Sequence, residues 1–289
     1  MSSIDLEKME AFAVRLATGA GNILRERLGA GLEVKFKGKG RRDPITNADR
    51  ESQEFLREAI QREYPDHGII GEEDLCQEPR KSKTVWVLDP LDGTKNFMNG
   101  LPIYGVSIGV LEEGKPIVGA ISLPTATNGS KGIFHARKGS GAFADGRRLA
   151  VSLGDIPRED HLASLPGGFF RHRQFGGQLE KGWGEARSSG SIVYELAFTA
   201  AGTFHYAVFG APKVWDVVAG VLLIQEAKGE VLVCPHGSRK WQPLESFGST
   251  SWVEGLRKWQ APLIAGNSEV VRRVASSIRR RTFWPWRRR

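Results

Sequence analysis

The sequence predicts a mixed fold in two differently built halves, an α+β half over residues 1–150 and an α/β half over residues 151–278. Three observations point that way. Two amphipathic helical patterns open the chain, short apolar strands separated by turn clusters fill residues 85–150, and strand-like and helix-like segments alternate beyond His161. A chain of 289 residues can bury a sizeable core as one large domain or two smaller ones.

Leu6, Met9, Phe12, Ala13, Leu16, Ala20, Ile23, Leu24 and Leu28 share one stripe, so residues 5–28 are expected to form a helix packed by that face. Lys35–Arg42 is basic and contains glycine, which suits a loop or a hairpin arm. Thr46, with Asp49 three residues on, has the spacing of a capping box and opens a second helix running to about Glu63, its buried side being Phe55, Leu56, Ala59 and Ile60. Val85–Leu88 reads as a short buried strand. Pro90 has no N–H to give a ladder, so that strand is expected to stop at Asp89. Ile103–Leu111, Pro116–Leu123 and Gly132–Ala136 follow as strands, the first two parted by the turn Glu113-Gly114-Lys115. In the second half His161–Leu165, Phe204–Phe209 and Glu230–Cys234 read as strands, and Ser191–Ala201 and Asp216–Ala227 as helices.

Composition narrows the setting. Cys76 and Cys234 are too few for a disulfide framework, no secretory signal precedes the acidic N-terminus, and no apolar run reaches the ~18 residues of a membrane span, so a reduced cytoplasmic location is expected. The net charge of +8 is mostly a property of one end. Six arginines lie in residues 279–289, leaving only +2 for the rest of the chain. The six histidines show no paired spacing and read as ordinary surface or core residues.

Four acidic segments sit at element boundaries: Asp43–Asp49, Gly71-Glu72-Glu73-Asp74, Asp89-Pro90-Leu91-Asp92-Gly93-Thr94 and Trp215-Asp216. If Glu72, Asp89, Asp92 and Asp216 converge, each pair of charges ~4 Å apart costs about 4 kcal/mol at an effective dielectric near 20. Such a cluster is tenable only with bound cations or protonation. Carboxylates and a carbonyl favour Mg²⁺ or Mn²⁺ over zinc. Gly93 permits a tight turn that exposes its own amide and that of Thr94 to an anion. The Asp89–Asp92 spacing is D-x-x-D, not the D-x-D of phosphoaspartate-forming phosphatases, and no glycine-rich lysine loop of the nucleotide-binding kind is present. For Asp49 and Asp216, simple capping of a helix start is the bland alternative.

These segments, in order and at these separations, resemble the Mg²⁺-dependent, lithium-sensitive inositol-monophosphatase-like phosphatases over about residues 5–278. The resemblance implies a layered αβαβα sandwich, usually homodimeric, that hydrolyses a phosphate monoester of a small sugar or polyol. It implies that Glu72, Asp89 and the Leu91 carbonyl hold one ion while Asp89, Asp92 and Asp216 hold another, two or three Mg²⁺ ions in all. It further implies that Asp49 and Thr94 activate the attacking water and that Gly93, Thr94, Gly190 and Ser191 hold phosphate oxygens. Glu73 and Asp74 are then solvated or stand behind the ligands.

Some residues depart from the pattern. Members that prefer inositol phosphates carry a glutamate shortly before the Trp-Asp pair; here Phe209-Gly210-Ala211-Pro212-Lys213-Val214 has none. Lys95 stands where threonine is frequent, and Lys228 where glycine is. Fructose-1,6-bisphosphatase, 3′-phosphoadenosine-5′-phosphate phosphatase and histidinol-phosphate phosphatase activities are rivals of the same class. A different class of rival is a phosphatase fold recruited to RNA or membrane through residues 279–289, whose arginines flank Phe283, Trp284 and Trp286.

Overall fold

Leu6–Arg27 is a helix whose N-terminus is capped by Asp5, which accepts the Lys8 N–H at 3.0 Å. The expected stripe faces inward, with Met9, Ala13, Leu16, Ala20 and Leu24 all buried. The computed structural model describes residues 5–28, 31–37, 44–73, 82–124, 132–154, 156–248 and 253–281. The second helix, Asn47–Glu63, begins with the full capping box between Thr46 and Asp49. Val34–Phe36 pairs antiparallel with Pro44–Thr46, so the basic segment is a hairpin arm, although residues 38–43 lie outside the described residues.

Both helices cover one face of a seven-stranded sheet. Its strands, in spatial order, are Gly68–Gly71, Thr84–Asp92, Gly105–Glu112, Lys115–Ser122, Ile133–Arg137, Gly141–Ala144 and Arg147–Arg148, the first pair parallel and the rest antiparallel. Alternation along Thr84–Asp92 sends Trp86 and Leu88 to the helices of the first half, and Val85 and Val87 to the opposite face. On that face lie the helices Ile192–Ala200 and Val214–Glu226. A six-stranded mixed sheet follows, ordered Glu185–Arg187, Leu162–Ser164, Phe204–Phe209, Leu263–Gly266, Glu230–Val233 and Gln242–Pro243. The helix Ser268–Ser277 closes its far side through Val270, Val271 and Val274. The five layers are the expected αβαβα sandwich, with two cores flanking the first sheet and a third under the last helix. Among the described residues, no helix is long and apolar enough to cross a membrane.

Several boundaries differ from expectation. The central strand does not stop at Asp89 but continues through Pro90 to Asp92. The helix bearing Asp216 starts at Val214, so Asp216 lies in its first turn and caps it from there by accepting the Lys213 N–H. Ser191 is the cap of Ile192–Ala200, not its first residue. Arg279 and Arg280 belong to the strand Ile278–Arg280, paired antiparallel with Arg173–Phe175, and the Arg281 N–H donates to the His172 carbonyl at 3.0 Å. Arg279, Arg280 and Arg281 of the expected tail thus pair with the described fold. The tail's aromatic part, residues 282–289, lies outside the described residues, as do Asp43, Asp74 and Cys76.

One contact sets how closely the layers approach. Gly109 and Gly119 face each other in register on adjacent strands. A Cβ on Gly109 would lie 2.3 Å from Val218 Cγ1, and one on Gly119 would lie 2.9 Å from the Ala219 carbonyl oxygen. The two glycines make a notch into which the helix Val214–Glu226 settles. Gly109→Val is therefore expected to lower stability by about 1–3 kcal/mol through overpacking. Chemical denaturation measures this directly, and an unchanged midpoint would show that helix and sheet have room to part.

Candidate active site

The site begins with an irregularity in the central strand. Asp89 pairs with Ser107 and Asp92 with Gly105, so three steps on one strand match two on its neighbour. In a regular strand, residues three apart point to opposite faces. The extra residue of the bulge cancels that reversal, so Asp89 and Asp92 can turn to one side. Pro90 is tolerated because the bulge asks no ladder bond of it. The turn is held locally: the Leu91 N–H donates to Asp89 Oδ1 and the Ser52 hydroxyl to the Pro90 carbonyl, both at 3.0 Å.

Two other elements bring further acids to this point. Gly68–Gly71 runs parallel to the central strand, and the Glu72 N–H continues the pairing to the Leu88 carbonyl at 3.2 Å. That sets Glu72 beside Asp89. From the opposite layer, the helix resting in the glycine notch presents Asp216, whose Oδ2 accepts the Lys213 N–H at 2.7 Å. Carboxylate oxygens of Asp89, Asp92 and Asp216 all lie within 4.8 Å of one another.

Crowding in a desolvated place shows in the proton affinities. Desolvation, then the charges of Glu72 and Asp92, hold Asp89 well above the usual carboxylate range. Desolvation and the charge of Asp92 do the same to Asp216. Desolvation pushes Glu72 up to about 7 against the opposing pull of Lys37. It pushes Asp92 up to about 6, while the Ser191 hydroxyl and Val193 N–H pull it back.

Asp49 and Thr94 meet beside the triad. The Thr94 hydroxyl lies 3.0 Å from the Leu91 carbonyl oxygen and 3.3 Å from Asp49 Oδ1. Asp49 Oδ2 accepts the Thr46 N–H at 2.7 Å and also the Thr46 hydroxyl. Asp49 is 1% exposed, and desolvation raises its proton affinity. Asp49 thus completes the capping box and also meets Thr94. Gly93 has a left-handed φ of 82° and precedes the short helix Thr94–Met98; a Cβ there would lie 2.9 Å from the Ile103 carbonyl oxygen.

Ser191 also meets the acids. The Ser191 hydroxyl donates to Asp92 Oδ2, and the Val193 N–H donates to the same oxygen at 3.0 Å. The start of this helix therefore grips a carboxylate of the protein itself. Three residues escaped sequence reasoning. Lys37 Nζ lies 2.5 Å from Glu73 Oε1 and 3.4 Å from Glu72 Oε1, which makes Glu73 a buried partner of a lysine rather than a solvated acid. Ser52 and Glu195 support the turns that carry the acids. A lysine in the basic arm and an acid in the first turn after Ser191 were the only local signals.

The donors fit a hard divalent cation. Carboxylate and carbonyl oxygens converge, neither His nor Cys belongs to the cluster, and the acids are held by neutral donors that leave their charge uncancelled.

Comparison with known proteins agrees with this geometry. The profile of the inositol monophosphatase family matches residues 5–268. The fructose-1,6-bisphosphatase/inositol-1-monophosphatase of Aquifex aeolicus is 32% identical over 232 residues, 78% of this chain and 85% of that protein. The Nus factor SuhB of Xylella fastidiosa is 31% identical over 278 residues, 92% of each chain. The crystal structure of the extragenic suppressor protein SuhB from Bartonella henselae superposes with a TM-score of 0.73 at 27% identity, covering 93% of this chain and 97% of that one.

The raised acids make stability depend on pH in an unusual direction. Unfolded carboxylates titrate near pH ~4, whereas Asp92 and Glu72 titrate at about 6 and about 7 in the folded chain. The folded state thus holds protons that the unfolded state has released, and the associated stability is lost as pH rises through the folded values. Without metal, Tm is expected to fall between pH 5 and 8, and Mg²⁺ should restore it more strongly at the higher pH. Thermal melts in chelator and in Mg²⁺ test this. A chelated protein whose Tm climbs steadily over that range would contradict the assignment.

Proposed function

The chain belongs to the inositol monophosphatase family, and on that premise we propose that it hydrolyses a phosphate monoester of a small sugar or polyol with two or three bound Mg²⁺ ions. The observation that carries this reading is the convergence of Asp89, Asp92 and Asp216 beside the Asp49–Thr94 pair. Glu72, Asp89 and the Leu91 carbonyl would hold one ion, and Asp89, Asp92 and Asp216 another. When bound, such ions acidify a water and neutralise charge on the phosphoryl and leaving oxygens.

The side chains then have plain tasks. With its hydrogen donated to Asp49 Oδ1, the Thr94 hydroxyl keeps a lone pair for the attacking water. The water's proton passes to Thr94 Oγ1 as the Thr94 proton passes to Asp49, whose raised affinity suits it to receive one. The Gly93 and Thr94 amides would hold phosphate oxygens, assisted by Gly190 and Ser191 at a helix start, while the Ser191 hydroxyl also supports Asp92.

The leaving-group side favours a second reading. Phe209 and Pro212 are buried and the segment between them offers no acid for sugar hydroxyls. By contrast, a cleft of about 550 Å³ opens next to Ser188, lined by Leu165, Phe169, Phe170, Arg171, Arg187 and Arg281. Positive charge and room there suit a leaving group with a second anion, as in a sugar bisphosphate, the first activity in the name of the Aquifex relative. We read the arginine-rich end, residues 282–289, as an accessory contact for an anionic surface such as a membrane or nucleic acid, and the family default of a homodimer as the working assembly.

Two measurements test these readings. Against a panel of phosphorylated metabolites, hydrolysis should require a divalent cation and vanish in Asp89→Asn, while Asp49→Asn and Thr94→Ala lower kcat by about 10²–10⁴. Substantial turnover after chelation would sink the reading. Deleting residues 282–289 should leave kcat intact and reduce retention on anionic vesicles or polyanions; equal retention would leave the tail without that role.

A further inference from the structure

Glu195 is a buried acid that the chemistry above does not use. It is 6% exposed, in the first turn of Ile192–Ala200, and among the described residues no ion pair reaches it. Its Oε1 accepts the Ser189 N–H at 2.8 Å and the Ser189 hydroxyl at 2.7 Å. Ser189 precedes the helix cap, so Glu195 holds the turn leading into the helix rather than the helix's own amides. From the other side, Asn96 Nδ2 donates to the Ser189 carbonyl at 2.8 Å and to the Ile103 carbonyl at 2.7 Å. Between these clamps Gly190 takes a left-handed φ of 80°, and Ser191 emerges with its hydroxyl on Asp92 Oδ2.

We propose that Glu195 is a positioning residue for the metal centre, clamping Ser189 so that Ser191 and Val193 hold Asp92 in the orientation in which it meets Asp89 and Asp216. The chain of contacts is continuous: Glu195 to Ser189, Ser189 through one glycine to Ser191, and Ser191 to the ligand. A carboxylate suits the first link, because one ionised oxygen receiving two short bonds holds its donors more firmly than a neutral acceptor would. The Ser191 and Val193 bonds both fall on Asp92 Oδ2, and the Gly93 N–H also donates to this carboxylate. The charge of Glu195 also adds to the negative field at Asp92, which an arriving cation would feel. Groups that orient metal ligands typically change metal affinity or activity by about 10–100-fold when removed.

This inference rests on the metal-centre reading, and the test separates the two. Mn²⁺ binding to the full chain is followed by electron paramagnetic resonance, alongside thermal melts and the metal dependence of turnover. Glu195→Ala is expected to weaken Mn²⁺ about 10–100-fold and to shift the metal requirement of kcat upward, with activity recovered at high Mn²⁺. Glu195→Gln, which keeps an acceptor oxygen for Ser189, should recover most of the affinity. Ser189→Ala should weaken Mn²⁺ in the same direction and add little to Glu195→Ala, since both break one relay; it also serves if Glu195→Ala fails to fold. Glu226→Gln, which touches only the Gly139 and Gly141 amides, is the control and should leave Mn²⁺ affinity unchanged. Lowered Tm with wild-type Mn²⁺ affinity in both Glu195→Ala and Ser189→Ala would overturn the proposal and leave the metal centre standing. A wild-type chain that bound no Mn²⁺ would overturn both.

Discussion

Repulsion among buried carboxylates is the constraint on which this structure turns. At ~4 Å each pair of charges costs about 4 kcal/mol even at an effective dielectric near 20, yet Asp89, Asp92 and Asp216 stand within 4.8 Å of one another and Glu72 presses on Asp89. The protein does not relieve this by pairing the triad with arginines. It fixes each acid with neutral donors: Leu91 N–H for Asp89, Ser191 and Val193 for Asp92, Lys213 N–H for Asp216. Such dipoles aim an oxygen without cancelling its charge. What remains is a concentrated negative field that raises the proton affinity of each acid and that protons or cations would satisfy.

The fold supplies that arrangement through two local exceptions to regular structure. A bulge at Pro90–Leu91 turns Asp89 and Asp92 to one side of a strand that would otherwise separate them. A pair of facing glycines lets a helix from the second half rest closely enough on the first sheet to deliver Asp216. Neither feature stabilises the sheet by itself, since a bulge costs ladder bonds and glycine packs nothing. Their positions, one at each side of the same carboxylates, are explained by the site.

What was legible in the sequence was whatever local pattern dictates. The stripe from Met9 to Leu24 and the Thr46–Asp49 capping box needed no knowledge of neighbours, and both formed as expected. The layered architecture and the gathering of acids came from the family resemblance; charge pattern alone could say only what convergence would cost. The strand end was misjudged because the proline rule assumes a regular ladder, whereas Pro90 sits where Ser107 and Gly105 have already dictated a bulge. The Gly109–Gly119 notch, the grip of Ser191 on Asp92 and the Lys37–Glu73 pair all depend on residues tens of positions apart. No window of sequence contains them.

The carboxylate cluster and the arginine-lined cleft are built from different residues. The acids and the Asp49–Thr94 pair are fixed by the first sheet, its covering helix, the notch and the start of the helix Ile192–Ala200, which grips Asp92. In the second half, Leu165, Arg187 and Ser188 border the arginine-lined cleft, and Phe209–Pro212 brings no acid. Relatives of this chain carry names of both kinds, a fructose-1,6-bisphosphatase/inositol-1-monophosphatase in one case and a Nus factor in another.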